Sequence, residues 1–301
     1  LSYQTQTEES RASGRRWSCG ALDALTIDVE DWYSSSLCLL PEDEREEAVG
    51  LPESVVTNTR FLLDLLASKR ARATFFVLGT VAQEYPELVR EIARRGHEVA
   101  SHGYRHRLAY ELTPEEFEED LSRSLELIES ASGSRVIGYR AGYFSITHAS
   151  LWAFDILARY GIVYDSSVFP IRRRLYGIPD APRFAHLVKG VRGGAVWEIP
   201  PSTVRLAGRN WPVAGGGYLR LFPYPLICRG IRRVHREGEP GVVYLHPYEI
   251  DPEDGHPGPA RGLGSKVVVW TQAMGRRSVE RKWVSLLDDF RFGSIRDVFG
   301  F

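Results

Sequence analysis

The residues able to do chemistry in this chain are few and grouped: Asp28, Glu30 and Asp31 in "TIDVEDW", His102 and His106 in "SHGYRH", Arg140 in "YRAGYFS", Asp165 in "YDSS" and His246 in "YLHPYEID". A carboxylate with two neutral imidazoles is a donor set for a borderline divalent cation, zinc above all, with cobalt, nickel or iron also served. Three protein donors leave positions open for water and substrate, as catalysis requires. A spacing of four turns both imidazoles to one face of a helix, and a glycine turn after a strand can converge them too. Asp28 lies inside an apolar run, where a carboxylate is costly unless paired or bound to a cation. An acid in that position is suited to take a proton from water.

Arg140 follows an apolar run and precedes a glycine, a placement that predicts a two-pronged pair with the basic carboxylate. His246 ends an apolar run just before Pro247, where an imidazolium can give a proton to a departing amine or alcohol. Asp165 is the expected partner of His246, fixing its tautomer and keeping its charged form available.

The elements that must position these groups can be read from periodicity. Short β-branched and aromatic runs predict about seven strands, in "ALTIDVEDW", "ATFFVLG", "HEVASH", "VIGYRAG", "GIVYDSS", "AVWEIPPS" and "GVVYLHPYEI". Between them, helical spacing predicts helices over 52–68, in "PELVREIARRG", in "TPEEFEEDLSRSLELIESAS" and over 148–160. The third opens on a capping box formed by Thr113 and Glu116. Repeated β-α units with chemistry at the strand ends predict an α/β fold, a parallel barrel whose site lies at the C-terminal face. We divide the chain into a loose arm (1–20), the barrel (21–255) and a C-terminal extension packed on it (256–301). From 202 to 240 no period is evident, and this stretch reads as an insertion shaping the rim of the site.

Bulk composition excludes little. The 301 residues carry 38 basic against 39 acidic side chains, so net charge does not call for nucleic acid or an anionic membrane. Cys19, Cys38 and Cys228 are odd in number and irregularly spaced, and are expected as free thiols. No run approaches the roughly 20 apolar residues of a membrane span. "LSYQTQTEESRASGRRWSCG" lacks the apolar centre of a signal peptide, which leads to the expectation of a cytoplasmic enzyme. The chain starts at Leu1 rather than Met, so that expectation covers only the residues given, and oligomeric state stays open.

In order and type, these residues resemble the polysaccharide deacetylases, the NodB-like group also called carbohydrate esterase family four. The likeness covers roughly residues 22–300 and is most specific at "SHGYRH", which is similar to the family's His-Ser/Thr-x-x-x-His motif but lacks the hydroxyl residue after the first His. It implies an irregular (β/α) barrel of about seven strands. It also implies a divalent metal held by Asp31, His102 and His106, with Asp28 as base, Arg140 orienting it, the Tyr143 amide receiving the oxyanion, Asp165 beside the histidine, and His246 as acid. The family's first motif has adjacent acids, whereas Asp28 here is separated from Glu30 and Asp31; Asp31 is the expected ligand and Glu30 the alternative.

The activity implied is hydrolysis of N-acetyl groups on sugars of a polysaccharide or its precursor, releasing acetate. "DVEDW", "EIPPS", "GGGYLRLFP" and "YLHPYEID" look like the branch tied to exopolysaccharide biosynthesis. The expected partner is an acetylated glycan, with no nucleic acid, and Phe144, Trp211 and Tyr218, with Trp32 and the Tyr143 ring, could offer flat walls for sugar rings. Two other functions fit the same residues: hydrolysis of a cyclic amide or ureide, and metal-free carbohydrate binding.

Overall fold

The computed structural model describes residues 22–32, 34, 54–190, 194–213, 215–252, 270–271 and 273–301. Its strands in chain order are β1 (Asp23–Val29), β2 (Thr74–Val77), β3 (Glu98–Ser101), β4 (Gly138–Tyr139), β5 (Tyr164–Asp165), β6 (His186–Lys189), β7 (Ala195–Glu198), β8 (Thr203–Leu206), β9 (Arg209–Pro212), β10 (Val242–Leu245) and β11 (Phe292–Gly293). The helices are α1 (Ser54–Ser68), α2 (Gly79–Glu84), α3 (Pro86–Arg94), α4 (Pro114–Ser132), α5 (Ala153–Arg159), α6 (Gly216–Leu221), α7 (Tyr224–Arg236), α8 (Val279–Asp289) and α9 (Ile295–Phe299).

Strands β10, β1, β2, β3, β4, β5 and β7 pair in that order, each parallel to the next, and β6 adds an antiparallel edge on β7. All seven expected strands are present in this curled sheet. The chain returns after β7 so that Ser202 N donates to Val242 O (3.0 Å) and Val242 N to Ser202 Oγ (2.8 Å), bringing the far end of the sheet to β10. The irregular α/β barrel expected from the sequence is therefore the fold.

Side chains alternate across a strand, and β1 shows what each face meets. Leu25, Ile27 and Val29 join the outer core shared with α1, α3 and α4. Ala24 faces the inner cluster with Phe76, Ala100, Tyr164, Ile199 and Val242. Thr26 and Asp28 continue that inward face toward the C-terminal mouth. At the opposite end, α9 closes the barrel with Ile295 and Phe299, while Phe301 stacks on Tyr164 at 5.5 Å. The first turn of α9 is anchored from inside, Ile295 N to Thr74 Oγ1 (2.8 Å) and Arg296 N to Glu98 Oε2 (3.0 Å).

The last residues thus complete the barrel core, and β11 extends the sheet through β1. Of the expected extension, 256–269 lies outside the described residues, as do residues 1–20 of the arm. The Thr113–Glu116 capping box opens α4 as expected. The stretch from 202 to 240 holds regular structure that its sequence hid: a β8–β9 hairpin, α6 and the 13-residue α7. Ile227, Cys228, Ile231 and Val234 form the buried face of α7, but arginines and Gly230 interleave them and blur the period. Buried Cys228 is a free thiol, and Cys19 and Cys38 lie outside the described residues. No described helix is long and apolar enough to cross a membrane.

Candidate active site

Asp28, His102, Arg140, Asp165 and His246 all stand at or just beyond the C-terminal ends of parallel strands, so the barrel itself gathers them at one mouth. The loop after β3 is held from below by Asp120 on α4, whose carboxylate accepts from Tyr104 N (2.6 Å) and Arg105 N (3.3 Å). His106 ends that loop at φ 56°, in the left-handed region. Its ring passes so close to Gly142 that a Cβ there would lie 2.8 Å from His106 Cδ2, which is why glycine follows "YRA".

His102 Nδ1 lies 2.8 Å from Arg140 O, and His106 Nδ1 lies 3.0 Å from Ser34 O. A backbone carbonyl only accepts, so each Nδ1 carries a proton, and each ring in its neutral form turns a lone pair outward from Nε2. His106 Nε2 lies 2.9 Å from Glu30 Oε2, an atom that finds no hydrogen bond of good geometry. Glu30, His102 and His106 are buried, and one donor atom from each falls within 4.8 Å of the others. Three acceptors facing one another away from water repel unless a proton or cation sits among them. The donor set therefore fits a divalent metal.

The two imidazoles are pushed in opposite directions. Burial and the nearby His106 push the His102 pKa down to about 3, so its ring is neutral. Burial opposes the charged form of His106, but the Glu30 carboxylate outweighs it and moves the pKa up. Glu30 is likewise opposed by burial, yet His106 and the other two histidines bring it below the usual carboxylate value.

Arg140 is fully buried over the Phe76 ring, 4.1 Å from its centroid. Nη1 donates to Asp28 Oδ1 (2.6 Å) and Thr26 Oγ1 (2.9 Å), Nη2 to Ser166 Oγ (2.8 Å) and Nε to Ser166 O (3.2 Å). On the far side of Asp28, His246 Nε2 lies 3.7 Å from Oδ2 and 3.4 Å from Glu30 Oε1. His246 Nδ1 meets Glu249 Oε2 at 3.0 Å, and Glu249 Oε1 lies 3.2 Å from Arg220 Nε. Burial works against a charged His246, but Glu249, then Glu30 and Asp28, raise its pKa to about 9. The group is poised to hold a proton at neutral pH.

Residues 50–163 match the polysaccharide deacetylase family, and residues 166–300 match a domain of unknown function, DUF3473. Over residues 50–163 the chain is similar to the polysaccharide deacetylases. The seam between the two matched stretches falls inside one continuous sheet, at β5. Among curated relatives, the peptidoglycan deacetylase of Helicobacter pylori is 31% identical over 120 residues, 40% of this chain and 37% of that protein. The chitooligosaccharide deacetylase of Rhizobium leguminosarum bv. trifolii is 35% identical over 98 residues, 33% of this chain and 43% of that protein. The chain thus spans less than half the length of these relatives. In fold it is similar to a protein of Mycobacterium smegmatis assigned to the polysaccharide deacetylases, with a TM-score of 0.61 at 19% identity over 92% of this chain and 90% of that one. It is also similar to PuuE allantoinase, with a TM-score of 0.58 at 12% identity, 92% of this chain and 88% of that one.

Several expected placements are corrected by the geometry of this site. Asp31 is turned away from the histidines, its carboxylate accepting from Ser34 N (2.9 Å) and Ser34 Oγ (2.7 Å), and Glu30 stands in its place. A turn at the strand end accounts for this: Glu30 N donates back to Asp28 O (3.0 Å), Glu30 faces the histidines with Asp28, and Asp31 closes on Ser34. Asp165 does not pair with His246. It accepts from Ser167 N (3.1 Å) and Ser167 Oγ (2.6 Å) and lies opposite Glu198 in the β5–β7 register. Burial pushes both of these carboxyls above their ordinary range, and the Asp165 charge raises Glu198 further. Arg140 meets Asp28 through one prong, its other donors going to Thr26 and Ser166.

Tyr143 sits in a tight turn at φ 56°, its ring 4.5 Å from that of His106 and its hydroxyl donating to Ser34 O (2.9 Å). Phe144 and Trp32 are buried, Phe144 packing on Phe169 and Tyr244, so neither offers a wall to a sugar. Tyr218 is bonded to Arg173 and Tyr176, and Trp211 is half exposed on the β8–β9 hairpin. The residues that the sequence reading missed are Glu249, Arg220, Ser34, Ser166 and Glu198. Glu249 had a signal, as the acid three residues after His246; Arg220 had none, because α6 brings it from the stretch read as a rim insertion.

Proposed function

We propose that this chain is a metal-dependent deacetylase that removes N-acetyl groups from sugars of a polysaccharide or its precursor, releasing acetate and leaving an amine. The observation that carries the reading is Asp28 held between Arg140 and His246, beside the Glu30, His102 and His106 donor set. A divalent cation held by those three residues, zinc being best suited, would supply Lewis acidity toward water and the acetamide carbonyl.

Asp28 accepts the proton of the attacking water, and Arg140 keeps its carboxylate in one orientation. The Tyr143 amide is the candidate donor to the oxyanion, a contact worth about 3 to 4 kcal/mol in comparable sites. His246, kept protonated by Glu249, delivers a proton to the sugar nitrogen as the C–N bond breaks. The polysaccharide deacetylase match over residues 50–163 and the deacetylase relatives support the same reaction class, and the sequence phrases shared with the exopolysaccharide branch support a capsule or matrix polymer as substrate.

The test is acetate release from N-acetylated chitooligosaccharides and peptidoglycan fragments by protein loaded with zinc, cobalt or nickel, with Asp28→Asn as control. Release by the parent, abolished by Asp28→Asn and by chelation, is the expected result. Acetate release that survives chelation would overturn the mechanism, and turnover of a cyclic ureide in its place would move the protein to another reaction.

A further inference from the structure

The balanced net charge conceals a sharp asymmetry. Residues 171–240 hold 13 of the 38 basic side chains but only 4 of the 39 acidic ones, leaving 25 basic against 35 acidic elsewhere. Much of this excess converges on an open cleft of about 1460 Å³ between the 170–186 segment and the β8–β9 hairpin. Arg172, Arg173, Arg183, Arg205 and Arg209 line it. Two of them have internal duties, Arg183 pairing with Glu237 (2.7 Å) and Arg173 donating to Tyr218 (2.9 Å). Among the described residues, Arg172, Arg205 and Arg209 meet no carboxylate. Trp211, 49% exposed, lies on the same wall. The two walls are joined, since Asn210 Nδ2 donates to Pro170 O at 2.8 Å, so the cleft exists before any ligand arrives.

We propose that this cleft is a distal binding site for an acidic saccharide chain, its sugar rings lying on Trp211 and its carboxylates meeting Arg172, Arg205 and Arg209. Asp180 and Glu239 also line the cleft. These acids would repel a nucleic acid carrying a phosphate at every residue, but they accept hydrogen bonds from the neutral hydroxyls between the charges of an acidic glycan. The concave shape likewise suits a chain rather than a flat lipid surface.

The cleft is a neighbour of the candidate active site along the chain. Pro170 is four residues beyond Ser166, which holds Arg140, and a layer formed by Phe169, Tyr176, Tyr218 and Tyr244 separates it from His246. The inference rests on the glycan reading for the class of ligand and not for the reaction.

Binding is therefore measured by calorimetry with metal-loaded parent protein and with the Asp28→Asn variant, in which turnover is blocked. The probes are hexagalacturonate, neutral N-acetylchitohexaose, UDP-N-acetylglucosamine, whose charge sits on one diphosphate, a DNA oligonucleotide and phosphatidylglycerol vesicles. We expect hexagalacturonate to bind more tightly than the neutral hexamer and to weaken with added salt. Three exposed pairs account for about a ten-fold loss in Arg172→Gln/Arg205→Gln/Arg209→Gln, with its circular dichroism and metal content at parent values. Trp211→Ala should weaken both hexamers. Equal affinity for neutral and acidic hexamers, or an unchanged triple variant, would overturn the proposal. Binding confined to UDP-N-acetylglucosamine, to DNA or to phosphatidylglycerol vesicles would overturn it as well. Acidic-glycan binding in a protein that releases no acetate would remove the deacetylase reading alone.

Discussion

Arg140 Nη1 donates to Asp28 Oδ1 across 2.6 Å with both side chains buried, and the same guanidinium reaches Thr26 on β1 and Ser166 beyond β5. One side chain thus ties three strands to the orientation of one carboxylate. Removing the proton acceptor while keeping the shape, as in Asp28→Asn, should cost about 10²- to 10⁴-fold in kcat, the usual contribution of a positioned base. Arg140→Met leaves Asp28 buried without its cation and should destabilise the fold by roughly 3–5 kcal/mol. Urea unfolding would read this, and a midpoint unchanged from the parent would refute the pairing as structural.

Glu30 and Asp31 are neighbours with opposite assignments. Glu30→Gln should abolish stoichiometric metal measured by elemental analysis, whereas Asp31→Asn, which can keep its contact with Ser34, should retain it. The reverse pattern would restore the assignment expected from sequence. Gly142→Ala, which presses on the His106 ring, should weaken metal affinity about 10- to 100-fold, the usual effect of disturbing a ligand's support.

Glu249 acts on the reaction through His246. The His246 pKa is raised to about 9 in the fold, so its charged form is stabilised there. In chelator-treated protein this stabilisation is full below the ordinary value of 6.5 and is lost as pH rises through about 9. Glu249→Gln removes the leading attraction, and the alkaline limb of the kcat/KM profile should move to lower pH. An unmoved limb would exclude His246 as the acid.

Asp165 and Glu198 make the opposite prediction for stability. Both carboxyls have raised pKa values, so the folded state binds more protons and stability declines as pH rises from the ordinary carboxylate range toward the raised values. Glu198→Gln can keep the bond from Val168 N while offering an N–H toward Asp165. Its melting temperature should match or exceed that of the parent at about pH 8 and vary less between about pH 5 and 8. A lower value at the alkaline end would show that the pair is ionised and held by other means.

By itself the sequence determined the barrel, because most of the seven parallel strands lie in short apolar runs bounded by turn residues, a local signal needing no partner to be seen. It also determined which groups gather, since Asp28, His102, Arg140 and His246 each sit where such a run ends and the parallel topology brings those ends together. Only the tertiary structure decided who touches whom. Glu30 rather than Asp31 faces the histidines through the turn at one strand end, and Glu249 rather than Asp165 meets His246 through a turn after β10. Arg220 reaches Glu249 because Gly215 and Gly216 let α6 press on Tyr244, where a Cβ would come within 2.2 Å of its carbonyl oxygen or 2.7 Å of its ring. Such contacts join residues distant in the chain at ångström tolerance. A one-dimensional pattern carries periods and types, whereas hydrogen bonds depend on directions that exist only once the sheet has curled.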